Sequence, residues 1–194
     1  MAAVPSIKAT GFQSVSDDLA RLIQAGRISR EAVEARLRPE DLPYVFKQLA
    51  ATTWVPVVTQ ARGLAILADL EANGSPESYF HTRGFRAGER LHKAGLYRQF
   101  EASTETWGAR VGKIVMTMAT VLYNFTRWTF EVGAEAGVFQ IAVDDAAELP
   151  ESSRYVSQGF IEYATRVVTK DKVHVRSQRP MPSRVVFYSE RARD

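Results

Sequence analysis

The chain has 194 residues, of which 45% are hydrophobic and 24% charged, enough apolar material for a core of useful size. It has no cysteine and three histidines, His81, His92 and His174, which excludes disulfide frameworks, zinc–thiolate and iron–sulfur sites and thiol catalysis, and leaves little for a multi-histidine metal centre. The net charge is only +3, but it is unevenly spread: residues 81–113 carry seven Lys/Arg against three acids and residues 166–194 eight against three, so the remainder is acidic. The opening MAAVPSIKAT has no apolar leader pattern, and Ile114–Tyr123, the longest apolar stretch, is about half of what a bilayer span requires. A cytoplasmic protein without a membrane span is the expectation.

In chain order, Ser16 followed by Asp17 and Asp18 predicts a helix N-terminus with acids at the positive dipole end, and Gly26 its C-terminal stop. A short helix is expected between Ser29 and Pro39. Another is expected over Asp41–Ala50, with Pro43 in its first turn. Pro56 opens a longer helix whose Val57, Val58, Ala61, Leu64, Ala65 and Ala68 predict the core-facing stripe, with Asn73-Gly74 closing it. Ser75-Pro76-Glu77 combines an N-cap serine, a first-turn proline and an early acid. On the helix it opens, Arg83, Arg86, Arg90 and Lys93 recur on one face, a candidate anion or partner face. His81 and His92 share a face but lie about 16 Å apart along the axis, too far to ligate one ion. Ser103 is the expected cap of a strongly apolar helix reaching Asn124, with Trp107, Val111, Ile114, Val115, Met118, Val121 and Leu122 on its apolar side. Gly84-x-x-x-Gly88 and Gly108-x-x-x-Gly112 predict close approach between helices, since glycine otherwise costs a helix about 1 kcal/mol.

Beyond Phe125 the period changes from helical to alternating. Trp128, Phe130 and Val132, a glycine-containing turn at Ala134–Gly137, and Phe139, Ile141 and Val143 predict a β-hairpin. A helix is expected from Glu151 to Val168 with the stripe Val156, Phe160, Tyr163, Ala164 and Val167. Two closing strands, Lys172–Arg176 and Arg184–Ser189, are then joined by the turn-rich SQRPMPS. Helices, two strands, one helix and two strands give an α+β class: a helical part of about 1–125 packed on a small antiparallel sheet of about 126–194, in one domain.

No phosphate-binding glycine loop, G-x-S-x-G or H-E-x-x-H is present, so no enzymatic signature is declared. Asp144, Asp145 and Glu148 read as a solvated strand-to-helix loop. His174, between Val173 and Val175, is expected on the polar face of the sheet.

The stretch GVFQIAVDDAAELPESSRYVSQGFIEYATRVVTKDKVHVRSQRPMPSRVVFYSE presents a strand, an acidic loop with Pro150, a helix with Gly159-Phe160-Ile161 and two terminal strands. With the helical first half and its Gly-Phe-Arg-Ala-Gly and Gly-Leu-Tyr segments, it resembles the haem-NO-binding-like and vinyl-reductase-like superfamily, which includes the Bet-type subunits of the TRAPP trafficking complex. Within it the chain resembles a family of paralogues of roughly 200 residues abundant in myxobacteria. The resemblance implies a helical layer on an antiparallel sheet, with a ligand pocket or lipid-like channel between them in some members. It also shows departures. Haem-NO sensors hold the haem propionates with Tyr-x-Ser-x-Arg; here Tyr155-Val156-Ser157 begins the motif, but Gly159 stands at the arginine position. Metal-binding cysteines of vinyl-reductase-like sensors are absent.

The expectation is therefore a non-enzymatic ligand- or partner-binding sensor or adaptor without a cofactor. Its ligand is a small apolar molecule or its partner a protein; dimerisation through the helices stays open and nucleic acid is not expected. Phe80, Trp107, Val111, Met118, Phe139 and Phe160 are the candidate pocket residues. Two alternatives remain: a haem-dependent gas sensor using His81 or His92, and an anion or nucleic-acid binder using Arg83, Arg86, Arg90 and Lys93.

Overall fold

A computed structural model describes residues 3–95, 97–98, 105–133 and 138–191. The chain enters through a short strand, β1 (Ser6–Lys8), and turns directly into α1 (Ala9–Gln24). Ser16, expected as the cap, is instead mid-helix. Phe12 and Val15 extend the buried stripe upstream of it, and its hydroxyl is satisfied by donating back to the Gln13 carbonyl at 3.0 Å. The stop is as read: Gly26 has φ +65°, Arg27 N–H donates to Leu22 O and Gly26 N–H to Ile23 O, the two bonds of a Schellman motif.

The short helix α2 (Arg30–Glu34) is capped by the Ser29 side chain, which accepts from Ala32 N–H. Helix α3 (Leu42–Phe46) is shorter than the expected Asp41–Ala50. A strand unrecognised in the sequence, β2 (Trp54–Pro56), pairs antiparallel with β1. Helix α4 (Val57–Glu71) follows, and its expected stripe needs correction. Val58 and Ala65 are exposed, whereas Thr59, Gln60, Gly63, Ile66 and Leu67 are buried, because the packed face is rotated by about one residue. Asp41 is 1% exposed at the foot of α4, where it accepts from the Thr59 hydroxyl, from Arg62 at 2.6 Å and from Arg38 N–H at 2.9 Å.

Helix α5 (Pro76–Lys93) starts as its sequence dictates, with Ser75 Oγ accepting from Ser78 N–H. Helix α6 (Trp107–Leu122) is capped by Thr106 rather than Ser103, which lies outside the described residues; Val121, expected on its packed side, is 51% exposed. Strands β3 (Arg127–Val132) and β4 (Phe139–Asp144) pair antiparallel as predicted; the expected turn Ala134–Gly137 lies outside the described residues. Helix α7 (Glu151–Thr169) carries the chain across the sheet to β5 (Val173–Met181), which pairs with β6 (Arg184–Arg191). The connection SQRPMPS is mostly strand, and only Pro182-Ser183 turn. Pro180 is tolerated because β5 lies at the sheet edge.

The sheet order is β3-β4-β6-β5, antiparallel throughout, with β6 inserted between the strands that α7 connects. A continuous apolar core runs from Ile7 and Phe12 through Ile114 and Ile161 to Phe187, joining helices and sheet. The expected α7 stripe is only partly buried: Val156, Phe160, Tyr163 and Val167 are half-buried, while Ser157, Gly159, Ile161, Glu162 and Thr165 are buried. Helix α7 is covered on two sides, by α5 and by the sheet, so small and polar residues occupy its tightest contacts.

The glycine pairs divide accordingly. A Cβ on Gly84 would lie 1.8 Å from Val156 O, and one on Gly159 1.9 Å from His81 O, so α5 and α7 cross with backbones in direct contact. Gly108 and Gly112 admit the side chains of Val132 and Phe130; the expected helix–helix contact is there a helix–strand contact.

Candidate functional site

Helices α1, α5, α6 and α7 do not close completely. Between them lies a cavity of about 380 Å³, in the size range of small-molecule sites. Its walls are Gly11 and Ser14 of α1, Ala87 and Leu91 of α5, Val115, Met118, Ala119 and Leu122 of α6, and Val156, Phe160 and Ile161 of α7. Ile7, Tyr123 and Trp128 also line it: Tyr123 stacks on Trp128 at 6.3 Å and Trp128 on Phe187 at 5.7 Å, so the end of α6 is held to the sheet. Gln60 and Ser157 contribute buried polar groups there. Burial pushes the Tyr123 phenol up from its ordinary value, opposed by the hydroxyls of Ser157 and Ser153. Exposed Gln13, Asp17 and Arg90 line the cavity as well, with Gln13 Nε2 donating to Asp17 Oδ1 at 2.7 Å.

Of the six expected pocket residues, Met118 and Phe160 line this cavity. The other four are elsewhere. Phe80 packs edge-on to Tyr79 at 5.9 Å, Val111 is fully buried, Phe139 stacks on Phe130 at 5.5 Å, and Trp107 sits half-buried at the start of α6. The basic face of α5 is also divided. Arg83 reaches Asp18 at 2.7 Å and the Ser14 carbonyl at 3.1 Å, and Lys93 pairs with Glu89 at 2.8 Å; Arg86 is exposed, and Arg90 lines the cavity. Two of the four cations thus serve the fold, and the expected common face is not a free one. Sequence reading missed Gln60, Tyr123, Trp128 and the α1 residues. The small Gly11 one turn before Ser14 was the available signal, hidden because that segment was not taken as helix.

Haem, implied for some members by the resemblance, does not fit these residues. No histidine is among the described residues that line the cavity. His81 Nε2 lies 3.4 Å from Glu162 Oε2, and His92 Nδ1 lies 2.8 Å from the Tyr163 hydroxyl with its ring stacked on Tyr97, both on the side of α5 that meets α7. No group of three metal-ligating side chains occurs among the described residues. Protein expressed with a haem precursor is expected to show no Soret band; a band abolished by His81→Ala or His92→Ala would contradict this.

Glu162 anchors a separate cluster. Its side chain is 7% exposed; Oε1 meets Arg166 at 2.7 Å, and Oε2 accepts from Val175 N–H at 3.0 Å, with His174 Nδ1 at 4.0 Å. Burial alone would raise its carboxyl, but His81, the Val175 N–H and Arg166 outweigh it and hold the carboxyl below the ordinary carboxylate value. The cluster ties α5 and α7 to the edge strand β5.

No helix among the described residues is long and apolar enough to cross a membrane. No protein-family model matches the chain, and no curated protein matches it in sequence. In the solved structures, a mutant of the Fe(II) unliganded H-NOX protein from K. algicida matches with a TM-score of 0.67 over 96% of this chain and 97% of that chain, at 9% sequence identity. The chain therefore has an H-NOX-like α+β fold.

Proposed function

We propose that this chain is a non-enzymatic ligand-binding sensor or adaptor module that holds a small apolar molecule, rather than haem, in the cavity between α1, α5, α6 and α7. It acts in the cytoplasm, as a member of the paralogue family abundant in myxobacteria that its sequence resembles. The observation carrying this reading is the cavity itself: about 380 Å³ lined mainly by aliphatic and aromatic side chains, beside a continuous apolar core. A void of this kind costs stability unless it is used, since each unfilled volume forfeits contacts and apolar burial. The H-NOX-like fold supports the reading, because the neighbour is described as an unliganded state, the description of a protein that takes a ligand.

The test is calorimetric titration with cumene, compared with Met118→Trp, which places an indole in the cavity. Saturable binding to the natural protein, weakened about tenfold or more in Met118→Trp, is expected; filling a void without overpacking should leave thermal stability within about 1 kcal/mol. Equal binding by both proteins would place the ligand elsewhere and overturn the reading.

A further inference from the structure

The cavity wall carries a buried hydrogen-bonding group that the fold does not use. Gln60 is 4% exposed and its Oε1 accepts from Ser153 Oγ at 3.1 Å. Its Nε2 has no hydrogen-bond partner among the described residues, yet it is not sealed in the packing as the Tyr97 hydroxyl and Arg110 Nε are, so it keeps surface on the cavity that Gln60 lines. A buried amide left without an acceptor carries a desolvation penalty that a neighbouring oxygen removes. Tyr123 and Ser157 line the same cavity with neutral hydroxyls, and the charged lining residues among those described, Asp17 and Arg90, are exposed.

Resting on the ligand-binding reading above, we infer that the cavity selects an uncharged, mainly apolar molecule bearing one acceptor oxygen, a carbonyl in the simplest case, which accepts from Gln60 Nε2. A hydrocarbon leaves that amide unpaired. A carboxylate at Gln60 would bury its charge among neutral donors, since the lining cation Arg90 is exposed. The apolar walls bind the body of the ligand and Gln60 sets which body is accepted, the division of labour usual in small-molecule sites.

The test titrates the full chain with three probes of nearly equal shape: acetophenone, its hydrocarbon isostere cumene, and benzoate. Cumene leaves water more readily, so the readout is the ratio of acetophenone to cumene affinity in the natural protein against Gln60→Leu. The expected result is a fall in that ratio of about tenfold in the variant, from loss of one buried hydrogen bond, with cumene binding retained. A second readout needs no variant: the carbonyl stretch of bound acetophenone should lie below its frequency in an alkane solvent. An unchanged ratio, an unshifted stretch, or tightest binding by benzoate overturns the inference while leaving an apolar cavity in place. Failure of all three probes to bind removes the ligand-binding reading itself, and this inference with it.

Discussion

Gly159→Ala is expected to cost about 3 kcal/mol or more, a large part of the stability of a domain this size, although alanine is the better helix former by about 1 kcal/mol. The added methyl would meet the His81 carbonyl oxygen at 1.9 Å and the Phe85 nitrogen at 2.8 Å. Both are backbone atoms of a hydrogen-bonded helix, so no side chain can rotate away. Ordinary contact requires about 3.5 Å, so α5 and α7 must separate by more than 1 Å and loosen the most extensive helix–helix contact among the described residues. Urea denaturation at neutral pH measures the loss; a variant as stable as the natural protein would show that the backbones do not touch. Gly84→Ala opposes the same contact from the other side, 1.8 Å from Val156 O. Once the helices have moved apart, the second methyl finds room, so the double variant should lose distinctly less than the sum of the two single losses.

Glu162→Leu is expected to lose about 2 to 3 kcal/mol near neutral pH, because the Val175 N–H is left without an acceptor and Arg166 loses its carboxylate, keeping the Val173 carbonyl. The pH dependence carries the sharper signature. The Glu162 carboxyl is held below its ordinary value of 4.5 in the folded state, so in that range the unfolded chain binds more protons. Its contribution is complete above that value and is lost as the pH falls through the lowered folded value. His81 from α5, Arg166 from α7 and His174 from β5 face the same carboxylate. Denaturation of both proteins across the acid range should show the natural protein losing its advantage below pH 4.5, with the two curves converging. Parallel curves would mean that Glu162 is not held ionised by this cluster.

Much of the helical order was legible because it is written locally. Ser75-Pro76 and Gly26 specify a cap and a stop through their own hydroxyl, ring and positive φ, whatever the rest of the chain does. The hairpin of β3 and β4 was equally legible, since alternation is forced where one face of a sheet is buried. What escaped depends on distant partners. Strands β1 and β2 have three residues each and exist only because Ile7 lies opposite Val55, a pairing that no window of sequence contains. The cavity escaped for a related reason. An aromatic residue such as Phe139 suits a filled core and an open wall equally well, and which one it joins is decided by how four helices fail to meet. Gln60 was invisible as a recognition group because a glutamine between Thr59 and Ala61 announces nothing until Ser153 takes only its oxygen.

Ile7 and Ile161 both line the cavity, and β1, which holds Ile7, is fastened to the far end of α6 by Asn124 accepting from Ser6 N–H at 2.7 Å. The site therefore cannot form on a ribosome-bound chain that has released only its helical part. Binding competence arrives only once α7 has been synthesised, and a ligand captured at that moment would act as a template for closing the fold, rewarding only chains in which β1 and α7 have met.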